Sequence, residues 1–264
     1  MLPGRGGGLP PTRKVLSMDR LHLAGPTRLR LAAQERVDWH DHAEHQLAYP
    51  GSGVLRVTTA LGSWVVPPLR AVWLPAELPH AHRAYGPTQM HSLWFGADDD
   101  PFGARTPTVV AVSDLLREII RALTDPAVQD ADRADLTRVL LRGLRPVAAP
   151  RLHLPQPSDD RLAGIAEALR RDPADPRTLA ELGATVGASE RTLSRLFRAE
   201  TGMTFPQWRA QLRLHHGMAL LATGEQVTTV ALTCGYSTPS SFTAAFHAAF
   251  GVTPTRYAQD SRPS

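Results

Sequence analysis

Two groups of side chains in the 264-residue chain have types and spacings that could do chemistry. In the front half, His40 and His42 lie two apart, so on an extended segment both point to one face, and Gln46 falls on the same parity. His80 follows a turn running from Pro75 to Pro79. Imidazoles on one face of a sheet can bind a borderline divalent ion such as zinc, nickel or iron. Hydrogen-bonded imidazoles can equally line a pocket for an organic ligand, and both readings stay open. His45 and His91 read as surface or packing residues, and His82 is expected to alternate away from His80 if that segment is extended. In the back half, Arg191, Arg195, Arg198, Arg209 and Arg213 face only Glu190 and Glu200 between Ser189 and Arg213. Such a local cationic excess is what phosphates require.

These groups need elements to position them. Residues 1–17 are rich in Gly and Pro and read as a mobile tail that includes no periodic apolar pattern. From about 20 to 97 the chain reads as short strands broken at Pro50-Gly51, Gly53, Gly62, Pro67-Pro68, Pro79 and Gly86-Pro87. Strands at that spacing predict a sandwich or barrel. The period then turns helical, with Leu115, Leu116, Ile119, Ile120 and Leu123 on one helix and Leu136, Val139, Leu140 and Leu144 on a second. This pair either packs on the barrel or forms a dimer interface. Pro146, Pro150, Pro155 and Pro157 mark residues 146–158 as a linker. The predicted fold is α+β in two domains: a sensing domain over 18–110, linker helices over 111–145, and an all-α domain over 159–260. Within the last, Thr178 and Glu181 form a capping box, Ser189 opens a helix, and Thr204-Phe205-Pro206 opens a long helix ending near Ala222.

The all-α segment repeats itself. Val186-Gly187-Ala188-Ser189 recurs 48 positions later as Cys234-Gly235-Tyr236-Ser237, while Leu193, Phe197 and Gly202 recur 49 positions later as Phe242, Phe246 and Gly251. Each copy reads as two helices joined by a glycine turn, a helix-turn-helix. Leu193 and Phe197 anchor the second helix from beneath, leaving Glu190, Arg191, Ser194, Arg195 and Arg198 outward. Arginines on such a face can contact guanine edges or phosphates in the major groove.

Thr178 to Phe205 and Val230 to Ala258 resemble the two halves of the AraC/XylS DNA-binding domain, and the closing pattern from Gly235-Tyr236 through Phe242, Phe246 and Phe250-Gly251 to Thr253-Pro254 and Tyr257 carries most of the likeness. The resemblance implies double-stranded DNA as partner, with Arg191, Ser194 and Arg195 reading bases beside Ser189 and Glu190, and Arg198 on a phosphate. The second unit offers Pro239, Ser240, Thr243 and His247, and departs from relatives in having Ala244 where arginine is common. The front half resembles a cupin, the barrel that many AraC-type regulators use for sensing. That implies a small-molecule or metal effector held by His40, His42, Gln46 and His80, although metal-binding cupins usually place glutamate where Gln46 stands. A second copy of the chain and RNA polymerase are further partners such a regulator implies.

Composition narrows the classes. With 42% hydrophobic residues the chain can pack a core in each domain. One cysteine, Cys234, excludes an intrachain disulfide and a cysteine-based zinc site. No apolar run approaches the roughly 20 residues that span a bilayer, and the N-terminal stretch lacks the apolar region of a secretory signal. A cytoplasmic protein without membrane contact is expected. Two function classes compete: a ligand-responsive transcription regulator that is not an enzyme, and a metal-dependent cupin enzyme with an accessory helical domain. Only the first accounts for the duplicated units.

Overall fold

A computed structural model describes residues 15–16, 26–148 and 150–261. Most of the expected tail, with His22, lies outside the described residues. In chain order the strands are β1 (Val15–Leu16), β2 (Thr27–Leu31), β3 (Arg36–His40), β4 (His45–Ser52), β5 (Leu55–Thr59), β6 (Gly62–Val66), β7 (Arg70–Leu74), β8 (His80–Ala84), β9 (Thr88–Phe95), β10 (Thr108–Ala111) and, after two helices, β11 (His153–Pro155). They form two sheets rather than one closed barrel: β1-β3-β8-β5-β6-β11 and β10-β7-β4-β9-β2. The pairs are antiparallel except β1 with β3. Val15 and Leu16, inside the segment expected to be unstructured, pair with Arg36 and Val37 because a sheet edge accepts any extended backbone.

Alternation along the strands explains the layers. Leu47, Tyr49, Ala71, Trp73, Leu93 and Phe95 point out of the five-stranded sheet and pack with Leu116, Ile119, Ile120, Leu123 and Leu140 of the helical pair α1 (Asp114–Leu123) and α2 (Asp130–Gly143). Ala48, Val72, Leu74 and Met90, one residue out of phase, join Leu55, Val57 and Val65 in the space between the sheets.

The helical domain follows as α3 (Asp160–Arg171), α4 (Leu179–Thr185), α5 (Glu190–Thr201), α6 (Phe205–Ala222), α7 (Val227–Thr233), α8 (Pro239–Phe250) and α9 (Pro254–Asp260). Its signals are local and strong. Thr178 with Glu181 and Thr204 with Gln207 form capping boxes, and Pro206 sits in the first turn of α6.

The segment 146–158 is not a free linker. Val147 N–H donates to the Val109 carbonyl (2.9 Å), and His153 to Pro155 add β11 to the edge of β6, with the His153 ring stacked on Trp64 at 4.2 Å. Leu152 and Leu154, between the prolines, are buried in two different clusters. Proline tolerates a sheet edge, so a Pro-rich stretch with alternating leucines became a strand. Helix α6 then grips that strand. Trp208 Nε1–H donates to the Pro155 carbonyl (2.9 Å), the Gln211 amide donates to the His153 carbonyl, and His215 Nε2–H donates to the Arg151 carbonyl (2.7 Å). Helical spacing of three and four thus meets strand spacing of two.

Candidate functional site

The two helix-turn-helix units start from matching local chemistry. Ser189 caps α5 through Thr192 N–H, and Thr238 caps α8 through Ser241 N–H. The structural offset between caps is therefore 49, and the 48-residue offset of the preceding Val-Gly/Cys-Gly pair means one residue is inserted between Gly235 and Thr238. Both turns need a left-handed backbone that costs only glycine nothing: φ is +66° at Gly187 and +75° at Gly235. Leu193 and Phe197 in α5, and Phe242 and Phe246 in α8, are fully buried.

With those anchors set, helical geometry fixes what faces out. Ser189, Glu190, Arg191, Arg195 and Arg198 are exposed and Ser194 is half-buried; in α8, Pro239, Ser240, Ala244 and His247 are exposed and Thr243 is half-buried. Cap-to-cap alignment sets Arg191 against Ser240, Ser194 against Thr243, Arg195 against Ala244 and Arg198 against His247. Two arginines of the sequence stripe do not belong to this face. Arg209 donates to the Arg177 carbonyl (2.7 Å), and Arg213 donates to the carbonyls of Pro173 (2.8 Å) and Gly235 (3.2 Å), tying α6 to the turn of the second unit. Their spacing along α6 signals an inward face. Counting charges alone does not reveal it.

In the β domain the structure brings His40, His42 and His80 together. All three are buried, and one ring nitrogen from each lies within 4.8 Å of the others. Each Nδ1–H is directed to a backbone carbonyl: Asp38 for His40 (2.7 Å), Glu44 for His42 (2.6 Å) and Leu78 for His80 (2.7 Å). That fixes the tautomer with the lone pair on Nε2. Burial, then the charge of His40, push the His80 pKa down to about 3, so the ring stays neutral at ordinary pH. His82, expected to turn away, joins the group instead, with its ring 5.0 Å from His80 and 5.6 Å from His40. Residues two apart on one strand share a face, so β8 carries both inward. It is 1% exposed, and neither ring nitrogen has a hydrogen-bond partner.

Gln46 is fully buried on β4, paired in register with Trp94, whose ring meets His42 edge-on at 4.5 Å. Its amide donates to Ser92 Oγ (3.0 Å), leaving the carbonyl oxygen buried without a donor. His45 and His91 are packing residues. The first stacks on Trp73 and accepts from Ala76 N–H (3.0 Å), and the second meets Thr124 Oγ1 at 2.6 Å.

Among known proteins, a helix-turn-helix domain matches residues 182–260. The chain is similar to the HTH-type transcriptional regulator NimR of Escherichia coli K12, with 31% identity over 226 residues, covering 83% of this chain and 81% of NimR. The chain belongs to the AraC/XylS family. It is a DNA-binding transcription regulator of the helix-turn-helix class, and the relatives named with it are regulators rather than enzymes. Within the AraC/XylS family it is also similar to the activator RhaR of Pectobacterium atrosepticum, 35% identical over 152 residues, which cover 55% of this chain and 54% of RhaR. Among solved structures, an AraC-type regulator from Chromobacterium violaceum overlays with a TM-score of 0.38 at 27% identity, covering 40% of this chain and 97% of that one. Among the described residues no helix is long and apolar enough to cross a membrane.

Proposed function

We propose that this cytoplasmic regulator reads double-stranded DNA mainly through α5, with Arg191, Ser194 and Arg195 on base edges and Arg198 on a phosphate, Ser189 and Glu190 lying at the helix start. Pro239, Ser240, Thr243 and His247 of α8 contact a second stretch of groove with little base discrimination. The observation that carries this reading is the row of exposed arginines on a face whose reverse is pinned by Leu193 and Phe197. The rise of α6, about 27 Å at 1.5 Å per residue over its 18 residues, suits units entering grooves about 34 Å apart once helix widths are added. A binding titration of operator against scrambled duplex at fixed salt tests it. Arg195→Ala should lower the specificity ratio, and an unchanged ratio would remove Arg195 from the reading set.

The sensing domain works, on this proposal, as a cupin-like chamber for a divalent ion. His40, His42 and His80 supply Nε2 donors already oriented by their carbonyl partners, and the Gln46 carbonyl oxygen is a further donor for zinc, nickel or iron. The three clustered imidazoles fit such an ion, whose charge would hold β3, the β3–β4 connection and β8 in one geometry. Metal analysis of the purified chain and titration with zinc or nickel should give about one ion per chain. The melting temperature should rise with the ion and fall with chelator, by mass action, and His42→Ala should abolish that response. Chain that stays metal-free yet changes its DNA affinity with an organic compound would make the chamber a small-molecule site. A second copy of the chain and RNA polymerase complete the partners. The exposed Leu115 and Val139 of α1 and α2 are the apolar surface open to a second copy.

A further inference from the structure

The outer face of the six-stranded sheet carries a charge pattern that nothing in DNA reading or histidine chemistry uses. Register sets Arg36 of β3 opposite Arg83 of β8, and Arg83 opposite Arg56 of β5. Three guanidiniums therefore stand in a row across three strands on one face, where like charges directly opposite one another destabilise a sheet. Arg170 and Arg171 of α3 line the same cleft from the other domain. Its acidic lining residues are already engaged: Asp38 pairs with Arg36 (3.0 Å), and Glu167 pairs with Arg171 (3.3 Å) and Arg170 (3.9 Å). Arg56 makes no ion pair among the described residues. Its guanidinium donates to Ser63 Oγ (3.2 Å), and its Nε–H is buried without an acceptor, as is that of Arg170.

The space these residues enclose is of ligand size. The cleft between the sheet and α3 measures about 640 Å³, and an adjoining cavity of about 320 Å³ shares Arg56, Arg83 and Arg170 and reaches His215 on α6. Trp39 stands at the cleft with 57% of its surface exposed. Burial first, and then the charge of Arg56, weaken the hold of Arg170 on its proton, the sign of cations facing each other across the domain boundary.

We propose that this cleft binds a small, multiply charged anion, a phosphate ester or a polycarboxylate, bridging Arg56 and Arg83 of the sensing sheet to Arg170 and Arg171 of the DNA-binding domain. Planar guanidiniums match carboxylate and phosphate oxygens bidentately, and the unsatisfied Nε–H groups of Arg56 and Arg170 are the donors that call for such an acceptor. Because the two sides of the cleft belong to different domains, the bound anion fixes their relative placement, which makes it an effector site built on arginines that borders the histidine group at His82.

The test uses the full chain at constant ionic strength, with pyrophosphate and citrate as probes and chloride as control, followed by tryptophan fluorescence and melting temperature. The wild type should saturate at one site with one or both probes and melt higher with it. Saturation by pyrophosphate alone assigns phosphate esters, and by citrate alone polycarboxylates. Arg56→Gln and Arg83→Gln should each weaken binding at least tenfold. Without anion Arg56→Gln should melt no lower than the wild type, since Arg56 faces Arg83 across the strands and makes no ion pair among the described residues. A response that tracks ionic strength without saturating, or saturable binding unchanged in both variants, overturns the proposal. So does protection of the cleft by duplex DNA but by neither small anion, which would make the arginine row a DNA contact.

Discussion

Where α5 presents Arg191, Arg195 and Arg198, α8 presents Ser240, Ala244 and His247 at the equivalent positions. The interiors differ as well. The first unit has its own core, Leu162, Ile165, Leu169, Leu182, Leu193, Phe197 and Trp208, joined from outside, among the described residues, only by Leu154 of β11. The core of the second unit, with Met218, Val230, Cys234, Phe242, Phe246 and Tyr257, belongs to one cluster with Leu55, Val57 and Val65 of the β-sheets and Tyr85 just after β8. One backbone plan has thus been put to two uses. The first unit keeps a cationic surface over a core of its own, whereas the second has less cationic surface and a core shared with the β domain.

The sharpest way to break this comparison is to empty the two cores in turn. Phe197 and Phe246 are equivalent and fully buried, and replacing either with alanine should cost about 3–5 kcal/mol. The cost should spread differently. Hydrogen exchange should accelerate in α3 to α5 for Phe197→Ala, but in α7 to α9 together with β5 and β6 for Phe246→Ala. Faster exchange confined to the helical domain in both variants would show that the second core is not shared.

Acid offers a second, broader way to separate the units. Residues 159–205 contain no histidine, whereas His153, His215 and His216 lie along the join between β11, α6 and the sensing sheet. Burial lowers all three pKa values, that of His215 to about 4. The unfolded chain takes up these protons near pH 6.5 and the folded chain only at lower pH, near 4 for His215, so the unfolded state binds more protons in between. Stability is therefore full above pH 6.5 and falls as pH drops from 6.5 towards 4. Exchange under mild acid should rise first around β11 and α6, with α4 and α5 still protected. Loss of protection in α5 at the same pH would contradict the independence of the first unit.

The helical half was legible because its signals are local: Thr178 three before Glu181, Ser189 as a cap, Gly187 and Gly235 in turns, and Pro206 behind Thr204 all settle structure within one turn of helix. The histidine chamber was legible only in part. Strand parity grouped His40 with His42, and they do meet, but β3 ends at His40 and the connection to β4 carries His42 in, while the same rule, misapplied to the segment after Pro79, set His82 apart from His80. The β11 strand was hidden because prolines outweigh two leucines in any reading by composition, and its partners on α6 and β6 lie far away in sequence. The arginine row of Arg36, Arg83 and Arg56 depends on register between strands that periodicity does not fix.

At the surface the comparison sharpens at one position. Arg195→Ala should cost about 1–3 kcal/mol of specific binding and flatten base preference in one half of the operator. Ala244→Arg should add affinity and new base dependence in the other half. Base substitutions scanned across the whole site, with both variants, measure this. Equal losses in the two halves for the wild-type chain would mean that Ser240, Thr243 or His247 already reads bases.

The smallest difference lies where each unit begins. Helix α4 opens with Thr178, whose hydroxyl accepts from Glu181 N–H while the Glu181 carboxylate accepts from Thr178 N–H (2.6 Å). Its counterpart α7 opens at Gln226 with no side-chain cap, although the backbone there, at φ −70° and ψ 141°, is already in the extended conformation a cap residue adopts. Two amide groups of the first turn that are satisfied in α4 therefore lack that side-chain cap in α7. Thr178→Ala should cost about 1 kcal/mol, and Gln226→Thr should add a few tenths to about 1 kcal/mol, since a threonine there can accept from the N–H two or three residues on. Chemical denaturation of the two variants beside the wild type decides it. If Gln226→Thr brings no gain, the first turn of α7 is held by the shared core rather than by its end, which would strengthen the contrast between a unit built from local signals and one built from its neighbour.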